Sequence, residues 1–553
     1  MVDLGKKVIY QIYPRSFYDS NNDGVGDLQG IIQKIPYIQK LNVDMIWFNP
    51  FFVSPQRDNG YDVADYYRID PVFGTMADFE ELVAKLKQIN VGVMLDMVFN
   101  HCSIDNEWFQ KALAGNEKYR KFFYLRKAKS DGSLPTNWQS KFGGPAWSKF
   151  GNTDYYYLHL YDPSQADLDW HNPEVRQAVF DVVNFWRAKG VKGFRFDVIN
   201  VTGKAKELVD STDPIQEKGL YTDTPVVHRY LKEMNAASFG QDSESITVGE
   251  MSSTTIENSL EYSNPDEHEL SMVFNFHHLK VDYKDGQKWT KKSFDFMQLK
   301  QILTQWQEEM DAGNGWNALF WNNHDQPMAL SRFGDTGKYR VKSAQMLATA
   351  LHLLRGTPYI YMGEEIGLVD PDYSSIDDYV DVEARNAYQN LQQAGMSRAQ
   401  AFDIIHAKAR DNSRTPMHWD NSKYAGFSKV KPWLMPTNQS EINVQHELAN
   451  GEIFSYYQKL IELRKQEELI SAGHIKMFLK EDRQVFAYER FLTKGQKVLL
   501  VLTNFYGQEH TVKVPDKFQN KPFTVLISNY QVTDFKLGNE LVLKPYEAIA
   551  LKI

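Results

Sequence analysis

The chain predicts an α/β fold: a (β/α)8 barrel of the TIM class with insertions, followed by an antiparallel β domain. Three observations predict it. First, short apolar runs rich in Val, Ile, Phe and Tyr recur, each followed by a polar, helix-periodic stretch. The runs are Val8–Tyr13, Val43–Phe48, Val91–Phe99, Val191–Val198, Ile246–Gly249, Leu270–Phe276, Ala318–Trp321 and Pro358–Met362. Eight strands with helical connections suggest a parallel barrel. Second, the spacing is uneven. The stretch between Phe99 and Val191 is longer than one βα unit needs and carries the Gly, Pro and Trp cluster Phe142 to Trp147. Third, after about Ser471 the pattern becomes alternating and β-branched, at Val498–Thr503, Thr511–Val514, Phe523–Ile527 and Leu541–Leu543. These readings divide the chain into a barrel (1–101 and 172–470, with a small insert at about 370–426), an inserted subdomain (102–171) and a C-terminal β-sandwich (471–553).

Bulk properties set the frame. With 553 residues, 42% hydrophobic and 24% charged, the chain has the composition of a globular protein and the length for a large core. Its net charge of −9 argues against a nucleic-acid partner. The lone Cys102 excludes an internal disulfide and suits a reducing compartment. Met1 to Tyr13 has no apolar stretch of signal-peptide length, and no window has the length of a membrane span. The expectation is a cytoplasmic protein acting as a monomer on a small molecule.

Barrel chemistry sits at the C-terminal ends of the strands. The fourth run ends Arg195-Phe196-Asp197. Side chains alternate along a strand, so both polar groups share a face, and a cation beside a carboxylate favours its ionised form. Alone, the pair reads as a structural ion pair. The other strand ends change that: Asp96 to His101, Glu250, and Asn322-Asn323-His324-Asp325 supply further acids and imidazoles, and Asp58-Asn59-Gly60-Tyr61 follows the second strand. An Asp held ionised by Arg195 and a Glu250 kept protonated by apolar burial form the pair that glycoside cleavage requires.

On these four ordered signatures, Asp96–His101, Gly193–Asp197, Glu250 and His324–Asp325, the chain resembles the α-amylase-type glycoside hydrolase family over nearly its whole length. The resemblance implies Asp197 as nucleophile, Glu250 as acid/base and Asp325 as the carboxylate that binds and distorts the sugar. It implies His101, Arg195, His324, Tyr61, Phe142 and Gln165 as sugar contacts, and retention of α configuration. Gln165-Ala166-Asp167-Leu168-Asp169 and Arg410 to Pro416 resemble the oligo-1,6-glucosidase group, in which Asp58 and Arg414 would cap the non-reducing end. Phe274 to Tyr283, with Lys288-Trp289 and Glu250 to Thr255, resembles the members that hydrolyse trehalose 6-phosphate. Lys280 and Lys288 are the phosphate-binding candidates, because a phosphomonoester dianion needs cations; a solvated lysine face is the alternative. Isomalto-oligosaccharide hydrolysis and sucrose isomerisation or transglucosylation are the alternatives on the same chemistry, and a catalytically inactive scaffold relative is the non-enzyme alternative. Met328 and Val201-Thr202-Gly203-Lys204 depart from the group's pattern, and these positions are expected on the aglycone side.

Asp19 to Asp27 has oxygen-bearing side chains at alternate positions and Gly24 for the turn, the spacing of a hard-cation loop. Gly30 stands at the twelfth position, so it is not an EF-hand. The resemblance implies a structural calcium (Ca2+) held by Asp19, Asn21, Asp23, the Val25 carbonyl and Asp27, and no catalytic cofactor. An Asx-turn loop without metal is the alternative.

Overall fold

The computed structural model describes residues 2–251, 253–493, 497–532 and 536–553. Ser252, within the Glu250–Thr255 segment, lies outside the described residues. Each of the eight runs forms a strand: β1 (Ile9–Ile12), β2 (Met45–Phe48), β3 (Gly92–Val98), β4 (Gly193–Asp197), β5 (Ile246–Glu250), β6 (Met272–Phe274), β7 (Ala318–Leu319) and β8 (Thr357–Tyr361). They hydrogen-bond as one sheet in the order β6-β5-β4-β3-β2-β1-β8-β7, the sequential order of a (β/α)8 barrel. The ladders β1–β8, β3–β4, β4–β5, β5–β6 and β7–β8 are parallel. Every residue of β1, β2, β4 and β8 is buried. That is why these strands read as continuous apolar runs rather than alternating ones.

Two compact units make up the chain. One comprises Trp47–Phe276 with Val2. Within it, β3 lies between the helix Met76–Gln88, closed by a Thr75/Asp78 capping box, and the inserted subdomain. The subdomain is built from a three-stranded sheet (Leu125–Lys127, Tyr155–Leu158, Trp147–Lys149) and an antiparallel pair, His101–Ser103 with Gln165–Asp167. Its core joins Tyr124, Trp138, Trp147, Leu158 and Leu160 to Val198 and Val201, just past the end of β4. The insert is thereby packed onto the turn after Asp197. A short hairpin, Phe52–Val53 with Asp65–Ile69, was not expected; its strands are too short and irregular to alternate.

The other unit comprises Asp3–Ile46 and His277–Ile553. Its insertion after β8 forms the helices Val382–Gln393 and Arg398–Lys408 around Tyr373, Tyr379, Ala384 and Ile405. The C-terminal strands are β9 (His474–Phe478), β10 (Val485–Phe491), β11 (Val498–Asn504), β12 (His510–Lys513), β13 (Thr524–Ser528), β14 (Glu540–Leu543) and β15 (Ala548–Lys552). They form a five-stranded antiparallel sheet, β9-β10-β11-β15-β13, and the pair β12–β14. Val485, Leu500, Leu502, Val512, Leu543 and Leu551 from both sheets share one core, as expected of a sandwich. Lys300, 3% exposed, donates from the helix Phe296–Ala312 to the carbonyls of Leu479, Asp482 and Val485, fixing the β9–β10 turn. Among the described residues, no helix is long and apolar enough to cross a membrane.

Candidate active site

The ends of β3, β4 and β5 bring four predicted residues together. Register puts Arg195 beside Asp96 across β3–β4. Nη1 of Arg195 donates to Asp96 Oδ1 at 2.6 Å and to Asp197 Oδ1 at 2.7 Å, and Nη2 donates to Glu250 Oε2. Asp197 and Glu250 are therefore held by the two arms of one guanidinium. Val198, in a left-handed conformation (φ 36°) that valine rarely adopts, turns its N–H toward Glu250 Oε2 at 3.3 Å. Three carboxyls thus surround one guanidinium that is 1% exposed. Burial pushes the Asp197 carboxyl well above the usual range, and the charges of Glu250 and Asp96 add to this, against Arg195. Burial likewise raises Asp96 to about 6, again against Arg195. Burial and the neighbouring carboxyls thus work against the ionised form of Asp197 that Arg195 favours.

A second layer supports this set. Asp96 Oδ2 accepts from the Tyr61 hydroxyl at 2.9 Å and from Trp47 Nε1 at 3.2 Å, and Asn49 donates to the Tyr61 oxygen at 2.9 Å. Asp58 is 6% exposed, and its Oδ2 accepts from Gln165 Nε2 at 3.0 Å. Gln165 also donates to Tyr61 O and accepts from Asp162 N. His101 accepts at Nδ1 from Asn100 and donates from Nε2 to Tyr61 O, both at 3.1 Å; burial pushes its pKa down to about 4. At 2% and 0% exposure, His101 and Gln165 are turned into protein. In this arrangement they brace Tyr61 and Asp58. Phe142 stays half-buried, edge-on to Tyr161 at 5.7 Å. Tyr161, which carried no motif signal, is tilted against His101 and feels the charges of Asp197 and Glu250.

Lys204 and Met328 correct another expectation. Lys204 is fully buried, with Nζ on Asn100 Oδ1 at 2.8 Å, Val201 O at 3.0 Å and Asp167 Oδ2 at 2.9 Å. It ties the insert to the turn after β4 and does not face outward. Met328 is 3% exposed, its N–H bonded to Asp370 at 2.7 Å, and is a packing residue.

In the other unit, His324 and Asp325 follow β7. His324 is fully buried, with Nδ1 3.0 Å from Gln11 Nε2 and Nε2 3.1 Å from Asp325 Oδ2. Arg414 donates from Nη2 to Asp325 Oδ1 at 2.9 Å and from Nε to His324 O at 2.7 Å. Arg410 approaches the same carboxylate at 3.5 Å and pairs with Asp381. Burial opposes ionisation of Asp381, but Arg410 and Arg414 prevail and lower it to about 2. Lys288 lies against Glu383, with Nζ 2.8 Å and 2.9 Å from its oxygens. An incoming phosphate would compete with Glu383 for this ammonium. Lys280 is exposed, on a turn whose Asp282 is anchored by Arg332 and Lys408.

The expected cation loop is a ladder of Asx turns. Asp19 accepts from the N–H groups of Asn22 and Gly24 at 2.7 and 2.8 Å, Asn21 from Asp23 N at 3.0 Å and Asp23 from Val25 N at 2.9 Å. Asp27 accepts from Ser20 and caps the helix Leu28–Gln33 through Gly30 N. Gly24, at φ 93°, makes the turn that glycine permits. Asp19 also accepts from Asp23 N and the Ser428 hydroxyl, which fills its four lone pairs; the acceptor capacity left for a hard cation lies on Asp23 and on Asp27 Oδ2, and a cation that also used Asp19 would displace part of this ladder. Elsewhere among the described residues, the one group of three His, Cys, Asp or Glu with ligand atoms within 4.8 Å of one another is His228, Glu261 and Glu269. There His228 already bonds Glu269 at 3.0 Å, and Lys232 stands 3.7 Å from the same carboxylate, the pattern of an ion-pair cluster.

Residues 11–473 match the family model described as alpha amylase, catalytic domain, and residues 485–550 match the alpha-amylase SusG C-terminal domain. The chain is 47% identical over 553 residues to a trehalose-6-phosphate hydrolase of Bacillus subtilis (strain 168), covering 99% of this chain and 98% of that one. It is 43% identical over 554 residues to an oligo-1,6-glucosidase of Parageobacillus thermoglucosidasius, covering 99% and 98%. The crystal structure of Bacillus licheniformis trehalose-6-phosphate hydrolase superposes with a TM-score of 0.95 at 47% identity, covering 99% of each chain.

Proposed function

The chain belongs to the alpha-amylase family of glycoside hydrolases, and from that premise we propose that it cleaves trehalose 6-phosphate to glucose and glucose 6-phosphate through a covalent glucosyl-aspartate. The observation that carries the chemistry is the Arg195 fork holding Asp197 and Glu250 side by side. That proximity supports the retaining separation of about 5–5.5 Å over the wider gap of inverting enzymes. Asp197 attacks the anomeric carbon while Glu250 gives its proton to the leaving oxygen. Glu250 then takes a proton from water, whose oxygen attacks from the face the leaving group vacated and displaces Asp197 on the opposite side. The chemistry needs Asp197 ionised, which the Arg195 guanidinium at 2.7 Å favours, and Glu250 carrying the proton it delivers. Asp325, gripped by Arg414, takes the role of sugar-binding carboxylate, and Asp58 the cap of the non-reducing end.

The substrate rests on full-length similarity to trehalose-6-phosphate hydrolases and on Lys280 as the cation for the outward phosphate. The test is a panel of trehalose 6-phosphate, trehalose, isomaltose, sucrose and maltose, each scored for free glucose. Trehalose 6-phosphate should give the highest kcat/KM, and Asp197→Asn should lose nearly all turnover while still binding. A preference for isomaltose would overturn the substrate in favour of oligo-1,6-glucosidase activity, the reading that the second relative supports. We also propose that the Asp19–Asp27 loop holds a structural cation through Asp19, Asn21, Asp23, Asp27 and the Val25 carbonyl, with no part in the chemical steps.

A further inference from the structure

We propose that Gln11 is a positioning residue: it fixes the tautomer of His324 and so aims one ring N–H at Asp325. The inference rests on the reading of Asp325 as the sugar-binding carboxylate. Gln11 lies on β1, 1% exposed. Its Nε2 is 3.0 Å from Nδ1 of His324, and the other ring nitrogen is 3.1 Å from Asp325 Oδ2. An amide nitrogen can only donate. Nδ1 therefore accepts, and the single proton of the neutral imidazole sits on Nε2, pointing at the carboxylate. The other tautomer would set the Nε2 lone pair against a carboxylate oxygen and an amide N–H against a ring N–H. Both contacts are repulsive, so Gln11 and Asp325 select the same tautomer from opposite sides.

The consequence falls on Asp325. Its Oδ1 is held by Arg414 at 2.9 Å, with Arg410 at 3.5 Å. Its Oδ2 is held by the His324 ring. Arg414 also donates to the His324 carbonyl at 2.7 Å, and Tyr13 stacks on the imidazole at 6.1 Å and 19°. His324 is fully buried, whereas the Asp325 side chain is 28% exposed. The carboxylate thus presents one accessible edge whose rotation is fixed from behind. The backing chain runs Gln11 to His324 to Asp325, and Gln11 touches no reacting atom in it.

Two near-isosteric variants, Gln11→Glu and Gln11→Met, test this in the full chain. The first readout is the 15N spectrum of the histidine rings, with His324 assigned by its loss in His324→Asn. The second is kcat/KM across pH on a neutral α-glucoside. The wild type should show a bare Nδ1 and a protonated Nε2 near neutral pH. Gln11→Glu sets a carboxylate against Nδ1, so the ring should take a second proton. Its kcat/KM should fall about tenfold at neutral pH and recover as pH rises through the raised imidazolium pKa. Gln11→Met should mix the tautomers and lower kcat roughly three- to tenfold, with little change in KM and no alkaline displacement. A wild-type ring protonated on Nδ1, or equal losses in both variants with an unmoved pH profile, would overturn the proposal. The nitrogen spectrum does not depend on turnover. A wild type with the expected tautomer but no activity on any α-glucoside would refute the functional reading and leave control of the tautomer standing.

Discussion

Glu364 stands in the turn after β8, 7% exposed, accepting from Asn322 Nδ2 and from the Tyr457 hydroxyl at 2.8 Å. Asn322 in turn accepts from Ala329 N, so this carboxyl holds the segment that carries His324 and Asp325. Burial raises its pKa from 4.5 to about 7, against those two hydrogen bonds. The folded chain therefore keeps a proton that the unfolded chain releases near pH 4.5. Stability from this group is fully present below that value and is lost as pH rises through about 7. Glu364→Gln keeps both contacts, since the Tyr457 hydroxyl can turn to accept, and removes the titration. The difference in unfolding free energy between variant and wild type should move in the variant's favour by on the order of 2–4 kcal/mol from about pH 5 to pH 8. Denaturant titrations at several pH values would measure it, and a difference independent of pH would show that Glu364 does not titrate there. At this scale the sequence was legible where geometry is local. Arg195 and Asp197 share a face because a strand has period two. Gln11, Asn49 and Tyr161 were not legible, because their partners lie far away along the chain and no spacing rule announces them. The same distance explains why the bonds of His101 and Gln165 to the Tyr61 carbonyl were not legible.

Elements were read more securely than their roles. All eight barrel strands follow from apolar runs, because a strand covered on both faces cannot alternate. The strands β9, β10 and β15 were not singled out. The loop Asp19–Asp27 shows what spacing alone leaves open. Alternating oxygens suit both a cation and a ladder of Asx turns, and the amide bonds to Asp19, Asn21 and Asp23 hold the loop as such a ladder. With the proposed cation bound, ligand binding to the native state alone adds stability. Chelation should then lower the melting temperature by a few degrees, calcium should restore it, and kcat at 25 °C should hold, because the loop precedes β2 and supplies no reacting group. Metal analysis of the purified chain gives the independent count. Less than stoichiometric metal together with an unmoved melting temperature would assign the loop to hydrogen bonding alone.

The whole molecule carries a net charge of −9, yet the proposed substrate is a phosphomonoester dianion. The global field opposes its approach, and selectivity must come from a local cation. The two differ in range. At 0.15 M salt the Debye length is about 8 Å, so distant surface charges are screened while a contact at hydrogen-bond distance persists in part. Lys288 is paired with Glu383 at 2.8 Å, which weakens its pull on an incoming anion. Lys280 is exposed on a turn braced by the Asp282 pairs with Arg332 and Lys408, so a cation there is placed without freezing a long loop on binding. Lys280→Ala should lower kcat/KM for trehalose 6-phosphate on the order of three- to tenfold, a range discounted for exposure, and leave isomaltose nearly unchanged. Raising salt from about 20 to 300 mM should then lower the ratio of the two specificity constants in the wild type and move it little in the variant. If long-range repulsion governed instead, salt would raise the ratio in both proteins. Equal losses on the charged and neutral sugars would mark Lys280 as a structural residue of its turn.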